Sequence, residues 1–445
     1  MMKDKRNVSK LTVLLFGIAV FLSSCRPVIH LDRPGDYDMA MGMFGKVNFF
    51  LEFKSFWSGM NHNYLYWDID STDWDRVYDT YWPKFEALGV MDTNDPGSAK
   101  AMGEAKGYIK EMTRNLSDGH LAITFWDGDT IQPGDERVKL RPDYNEHDLV
   151  FFNYLWSIPG EVSGKKYKNW FEDVIKPRLD PSSAEYFPTS GNSAADVKDG
   201  FNAATGHCLI GGGPDYILYF YFNEFSLSQH FFDGTSPYHL VINQFMTELT
   251  EDPHVKGVIF DLRGNTGGSI PDIGMILAPL IDKPLNIGEI RTKNGPGRLD
   301  YTPWAPFTIW PVDEKYRARN PNIPVVALVN EFSISCGELT PLAIKEMPNG
   351  HVMGKRTFGA TGPRIGDDNP LLMSGGPFKG GYLVKQASFA AWATRGASGE
   401  NYEGIGVAPD ETLTFGEAEW AMFNDAANPR DLWFERAVEY IKSKQ

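Results

Sequence analysis

The sequence predicts a layered α/β domain preceded by a small helical one. From residue 216 onward, short apolar runs alternate with helical patterns, which is the texture of a sheet covered by helices. Two of those runs, 257–262 (GVIFDL) and 323–329 (IPVVALV), have no polar face, so each is expected to be a strand buried on both sides. Before residue 126, by contrast, large apolar residues recur at helical spacing.

The chain opens with a segment that is not part of the fold. Lys3, Lys5, Arg6 and Lys10 precede a short apolar run from Leu11 to Leu22, too short for the roughly 20 residues a membrane helix needs. The run ends in Leu22-Ser23-Ser24-Cys25, which resembles a bacterial lipoprotein signal with Cys25 as the lipidated residue. That resemblance implies removal of residues 1–24, a tether over 25–45 marked by Pro27, Pro34, Gly35 and Gly42, and a body held at the bacterial cell envelope.

Residues 46–126 are expected to form the helical domain. Phe49, Phe53, Phe56 and Trp57 mark one helix, and Trp74, Val77, Tyr78, Tyr81 and Phe85 a second over about 74–88. A third, capped by Ser98, runs to Leu116 with Met102, Ala105, Ile109 and Met112 on one face. It stops at Ser117-Asp118-Gly119-His120, and 121–126 reads as a strand. Residues 127–210 are irregular in pattern, a linking region or an insert that gates or inhibits a site.

The α/β domain is expected over 211–445. Its predicted elements are a strand at 216–222, a helix at 238–249, the strand at 257–262 and a helix at 273–281. The strand at 323–329, a helix at 337–347 and a strand from His351 to Gly354 follow.

Composition narrows the function. With 445 residues, 42% hydrophobic and 23% charged, the chain is not a disordered or collagenous one. A net charge of −15 gives no global basic footprint, so no nucleic-acid partner is expected. Three cysteines exclude a disulfide framework. No His/Cys/Asp group has ligand spacing, so neither a metal nor another cofactor is expected.

Two strand ends can carry chemistry. Residues 261–268 (DLRGNTGG) form a Gly-rich loop whose amides could hold an anion or simply make a tight turn; the Lys-Ser/Thr ending of a P-loop is missing. Residues 330–338 (NEFSISCGE) join a strand to a helix. There Ser333 or Ser335 is either a helix cap or a nucleophile on a strand-to-helix turn.

Taken together, DLRGNTGG, NEFSISCGE, GKRTFG at 354–359 and GIGVAPD at 404–410 resemble the tail-specific (C-terminal processing) and tricorn-core family of serine peptidases. The resemblance covers 257–410 strongly and the first domain loosely. It implies a crotonase/Clp-protease-like layered catalytic domain, a protein or peptide substrate, and a serine three residues before an acidic residue, which selects Ser335 before Glu338. The bacterial processing branch carries a lysine in the turn after Thr357-Phe358-Gly359. Here Ala360 stands there, and Lys355 precedes the turn.

The departure points to the Ser-His-Glu branch. A hydroxyl needs a base, and neutral imidazole oriented by a carboxylate supplies one near pH 7. The expected base is His120, with His207 and His230 as alternatives; the expected acid is Glu403, with Glu400 in reserve. Backbone amides of Gly267, Gly268 and Cys336 are the expected oxyanion donors, and the Cys336 thiol is an alternative nucleophile. Asp261 and Arg263 are expected to pin the loop. The reading is a membrane-anchored extracytoplasmic serine endopeptidase. Its rival is an inactive lipoprotein of the same fold that binds peptides or glycans.

Overall fold

The computed structural model describes residues 45–145, 147–148, 161–162, 165–166, 170–187, 201–295, 297–364, 378 and 381–445. The expected signal, Cys25 and nearly all of the tether lie outside the described residues.

The helical part begins with strand β1 (Lys46–Asn48) and helices α1 (Phe49–Asn63) and α2 (Trp74–Leu88). Strand β2 (Val90–Asp92) then pairs with β1, and α3 (Ser98–Thr113) follows. Asn48 and Asp73 cap α1 and α2 through their side chains. Ser98 does not cap α3: it is the first helical residue, Gly97 stands before it, and its hydroxyl donates to the Thr93 carbonyl. The apolar stripes meet as expected, Phe49, Phe53, Phe56 and Met60 packing with Trp74, Phe85, Met102, Ile109 and Met112.

Strands β3 (Ala122–Phe125) and β4 (Thr130–Ile131) and helix α4 (Pro133–Lys139) come next. In the α/β part, β5 (Glu185–Phe187), β6 (Ala203–Leu209) and β7 (Tyr216–Phe222) precede α5 (Leu227–Phe232) and α6 (His239–Glu251). Then come β8 (Val255–Asp261), α7 (Pro271–Leu277), β9 (Leu285–Arg291), β10 (Ala305–Ile309), β11 (Val325–Val329), α8 (Cys336–Lys345) and β12 (Gly350–Gly354). The chain closes with β13 (Val384–Ser388), β14 (Ala393–Arg395), β15 (Glu411–Thr412) and α9 (Leu432–Ser443).

One seven-stranded sheet in the order β15-β12-β11-β8-β7-β6-β5 organises the second part. Its strands from β15 to β7 are parallel, and β6 and β5 are added antiparallel. Both faces are covered. Leu218, Phe220, Val258, Phe260, Val325 and Ala327 pack against α6, α7 and α8. The alternate residues Ile217, Tyr219, Ile259, Val326 and Leu328 pack against α9 through Phe434, Ala437 and Ile441. Two-sided burial is why these runs lack a polar face.

The helical core is completed from far down the chain. Strand β13 pairs with β3, and Leu383, Val384, Ala387, Phe389 and Ala390 enter the same core as α1–α3. Buried Glu52 accepts the amides of Tyr382 and Leu383 at 2.8 and 2.9 Å. Among the described residues no helix is long and apolar enough to cross a membrane.

Candidate active site

Strands β8 and β11 are parallel neighbours, with Asp261 opposite Leu328, so the loops after them leave the same edge of the sheet. Ligands of open α/β sheets bind at such carboxyl ends. The first loop is 262–268; the second, 330–335, leads into α8.

The second loop separates its two serines. Ser333 is fully buried; its hydroxyl donates to the Leu262 carbonyl at 2.7 Å and accepts the Asn330 amide at 3.0 Å, so it is a structural tie. Ser335 is half-buried, with φ +57° and ψ −118°, and is the only non-glycine residue with positive φ among those described. A side chain in that region costs roughly 1–2 kcal/mol unless its surroundings hold it.

Glu338 supplies the hold. It is buried in the first turn of α8. One oxygen accepts from the Ser335 amide (3.2 Å) and the Ala360 amide (2.7 Å). The other accepts from the Thr357 hydroxyl (2.6 Å) and the Gly359 amide (2.7 Å). Burial pushes its carboxyl up to about 7, opposed by these donors.

The two loops are stitched together. The Ile334 amide donates to Asn265 O (2.8 Å), Gly264 to Asn330 Oδ1 (2.9 Å), and Asn265 Nδ2 to Phe222 O (2.8 Å). Gly267, at φ +88°, approaches so closely that a Cβ there would lie 2.5 Å from Ser335 Cβ and 2.9 Å from Cys336 N. Of the three expected oxyanion donors, the Gly267 amide is committed to Asn265 Oδ1 at 2.8 Å. Cys336 N belongs to the first turn of α8, where no helical carbonyl can take an amide. Gly268 lies beside it, its carbonyl 3.2 Å from Cys336 Sγ. Burial pushes the Cys336 thiol up to about 12, so it stays protonated and is a poor nucleophile.

Arg263 is buried between two carboxylates. It donates to Asp261 Oδ1 (2.8 Å) and Oδ2 (2.5 Å) and to Asp431 Oδ1 (3.1 Å). Asp431 also caps α9. Neither Asp261 nor Arg263 is free to react, in line with a loop-pinning role.

His120, Asp118 and Glu403 come together although the first and last in sequence, Asp118 and Glu403, stand 285 positions apart. Their ligand atoms all lie within 4.8 Å of one another. Glu403 Oε1 accepts the Gly119 amide (2.7 Å), and Oε2 accepts the Gly362 amide (2.9 Å) and the Thr361 hydroxyl (3.0 Å). Asp118 accepts the amides of His120 (2.7 Å) and Ala390 (2.9 Å). Burial, with the Glu403 charge adding to it, pushes Asp118 up to about 8; burial also raises Glu403. With three donors against two, Glu403 is the better held as an anion.

Burial, helped by the Arg364 charge, pushes His120 down to about 3, so the imidazole is neutral at pH 7. Its Nδ1 is buried without a hydrogen-bond partner. Gly119 presses on the turn that Glu338 holds: a Cβ there would meet Gly359 O at 2.3 Å and Ala360 Cβ at 2.6 Å.

The other candidates sit elsewhere. His207 lies on strand β6. Its ring stacks on Tyr216 at 3.6 Å and its Nε2 is 2.9 Å from Glu248. His230 is in α5, against Phe201 and Ser236. Glu400 is exposed. Ala360 is fully buried, and Lys355 Nζ is held by both Asp148 oxygens at 2.7 Å and by Asp143 O at 2.9 Å.

Sequence spacing gave no hint that Asp118, His120 and Glu403 could meet as metal-type ligands. All four carboxylate oxygens accept protein donors. Asp118 and Asp431, like Asn265, Asn330 and Thr361, are polar residues here whose roles sequence reasoning passed over. Asp118 had a signal, standing two residues before the chosen histidine; Asp431 had none.

Residues 222–413 match the model of peptidase family S41. Among curated proteins, the carboxy-terminal processing protease CtpA of Bacillus subtilis is 32% identical over 109 residues, 24% of this chain and 21% of that protein. The tricorn protease of Thermoplasma volcanium is 26% identical over 200 residues, 45% of this chain and 16% of that protein. The matched stretches thus span about a fifth or less of these relatives. In fold, a crystal structure of a candidate peptidase from Parabacteroides merdae has a TM-score of 0.54 at 21% identity, covering 88% of this chain and 96% of that one. Mature CPAF has a TM-score of 0.53 at 14% identity, covering 89% and 96%.

Proposed function

We propose, with residues 222–413 as a domain of peptidase family S41 for premise, that the chain is a serine-type peptidase hydrolysing peptide bonds through an acyl-enzyme on Ser335. The observation that carries the reading is the backbone of Ser335: a half-buried serine at φ +57° on a strand-to-helix turn, against Gly267.

In this reading Ser335 Oγ attacks the peptide carbonyl carbon and its proton passes to His120. The oxyanion that forms is met by the amides of Cys336 and Gly268. The C–N bond then breaks, His120 returns the proton to the leaving amine, and the acyl group stays on Ser335. Water, giving a proton to His120, attacks the acyl carbon; the bond to Ser335 Oγ then breaks, His120 returns the proton to Oγ, and the acid is released. Glu403, with a carboxylate oxygen within 4.8 Å of the imidazole, balances the charge that forms there.

A Ser-His-Glu set is favoured over a Ser-Lys one by two supports: Ala360 offers no amine after the Thr-Phe-Gly turn, and the Lys355 ammonium is held by Asp148. The family match favours catalysis over mere binding. We further propose lipid anchoring through Cys25 at the cell envelope, supported by the sequence alone.

The test is digestion of an unfolded protein such as reduced casein by the purified wild type and by Ser335→Ala. Cleavage by the wild type alone is expected. Equal cleavage by both would remove Ser335 from the mechanism.

A further inference from the structure

The part of the irregular region that follows β4 is built into the site. Helix α4 and the turn after it carry two arginines whose guanidinium groups end on main-chain carbonyls of three separate loops. Arg137 donates to Leu116 O (2.6 Å) and Ser117 O (3.0 Å), directly before Asp118-Gly119-His120. Arg141 donates to Thr357 O (2.6 Å) and Phe358 O (2.6 Å), in the turn Glu338 holds, and to Ile405 O (3.1 Å), two residues after Glu403.

The helix itself fits the same place. Val138 packs with Phe358 and Ala360 in a small core of its own. A Cβ on Gly134 would lie 3.0 Å from both Gly119 O and a Phe358 ring carbon. A planar fork that satisfies several carbonyls at fixed angles is a task for arginine; a lysine ammonium is a point donor.

We infer that Arg137 and Arg141 are positioning residues that lock the His120, Gly359–Ala360 and Glu403 loops into one register through α4. This inference rests on the peptidase reading for its catalytic consequence and on hydrogen bonds alone for its structural one. Each arginine acts through the loop it holds, so its loss misaligns groups that must meet within a fraction of an ångström.

The experiment compares the whole protein with Arg141→Ala. On a peptide substrate cleaved by the wild type, kcat is expected to fall by about 10²-fold with KM changed less than about threefold. Added guanidinium ion at millimolar concentration is expected to restore part of kcat, which a purely destabilised variant would not show. Hydrogen–deuterium exchange is expected to quicken at the amides of Gly119, Gly359, Ala360 and Gly404. An unchanged kcat, or a loss confined to KM, would overturn the inference. Should the wild type cleave nothing, the peptidase reading fails by itself and exchange decides the clamp: faster exchange at those amides supports it, unchanged exchange overturns it. If Arg141→Ala does not fold, Arg141→Lys, which cannot span both loops, is read in the same way.

Discussion

Ser335 donates its backbone amide to Glu338 Oε2 at 3.2 Å, and that same oxygen accepts from Ala360 at 2.7 Å. One buried carboxylate therefore fixes both the strained serine and the turn against which Gly119, beside His120, is packed.

Glu338→Ala is expected to be among the most damaging single changes in the chain. It strips the acceptor from three amides and the Thr357 hydroxyl, all buried or half-buried. An unsatisfied buried donor costs about 1–3 kcal/mol, so a loss of roughly 3–5 kcal/mol is expected in denaturant unfolding. Glu338→Gln, which keeps one accepting oxygen, is expected to lose about half as much.

Strain at Ser335 predicts a trade of stability against activity. Ser335→Gly relieves a φ of +57° that costs a side chain roughly 1–2 kcal/mol, whereas Ser335→Ala retains the Cβ. Both variants are expected to be inactive, with the glycine variant the more stable of the two by about 1 kcal/mol in thermal unfolding. Equal stabilities would show that the turn holds no strain.

Gly267→Ala is expected to disable the site without replacing any side chain in it. The added methyl would lie 2.5 Å from Ser335 Cβ and 2.8 Å from Ile334 O, at a φ of +88°. The serine must move, and a shift near 1 Å costs about 10²-fold in rate. Gly274→Ala, in open space on α7, is the control and is expected to leave activity unchanged.

Glu331 gives stability a pH dependence. Burial and the neighbouring Asp148 push its carboxyl up to about 8, opposed by the Lys355 ammonium 3.6 Å from Oε1. Because the folded-state value is raised, its contribution is fully present below about pH 4.5 and is lost as pH rises toward 8. Glu331→Gln is therefore expected to raise Tm at pH 8 and to leave it nearly unchanged at pH 5. Equal changes at both pH values would contradict the assignment.

Much of the architecture was legible because the pattern is local. Strand β7 matches its expected limits at Tyr216 and Phe222, and α2 its expected limits at Trp74 and Leu88. Helix α4 had a readable start, Pro133 followed by Asp135 and Glu136, but seven residues are too few for periodicity to show. Other features are written across the chain and leave no local trace. Strand β13 completes the helical core from residue 384, and Asp431 meets Arg263 across 168 positions. Ser335 could be singled out from its motif; that Glu338 also holds the Gly359 and Ala360 amides, more than 20 positions on, leaves no local trace.

The central claim is that Ser335 is a nucleophile activated through His120. It is tested most directly by treating the protein with a fluorophosphonate and locating the adduct by mass spectrometry, in wild type, His120→Ala and Glu403→Gln. The account predicts a stoichiometric adduct on Ser335 in the wild type, labelling slowed by at least about 10²-fold in His120→Ala, and an intermediate rate in Glu403→Gln. An adduct on another residue, or labelling of Ser335 at the wild-type rate without His120, would contradict it.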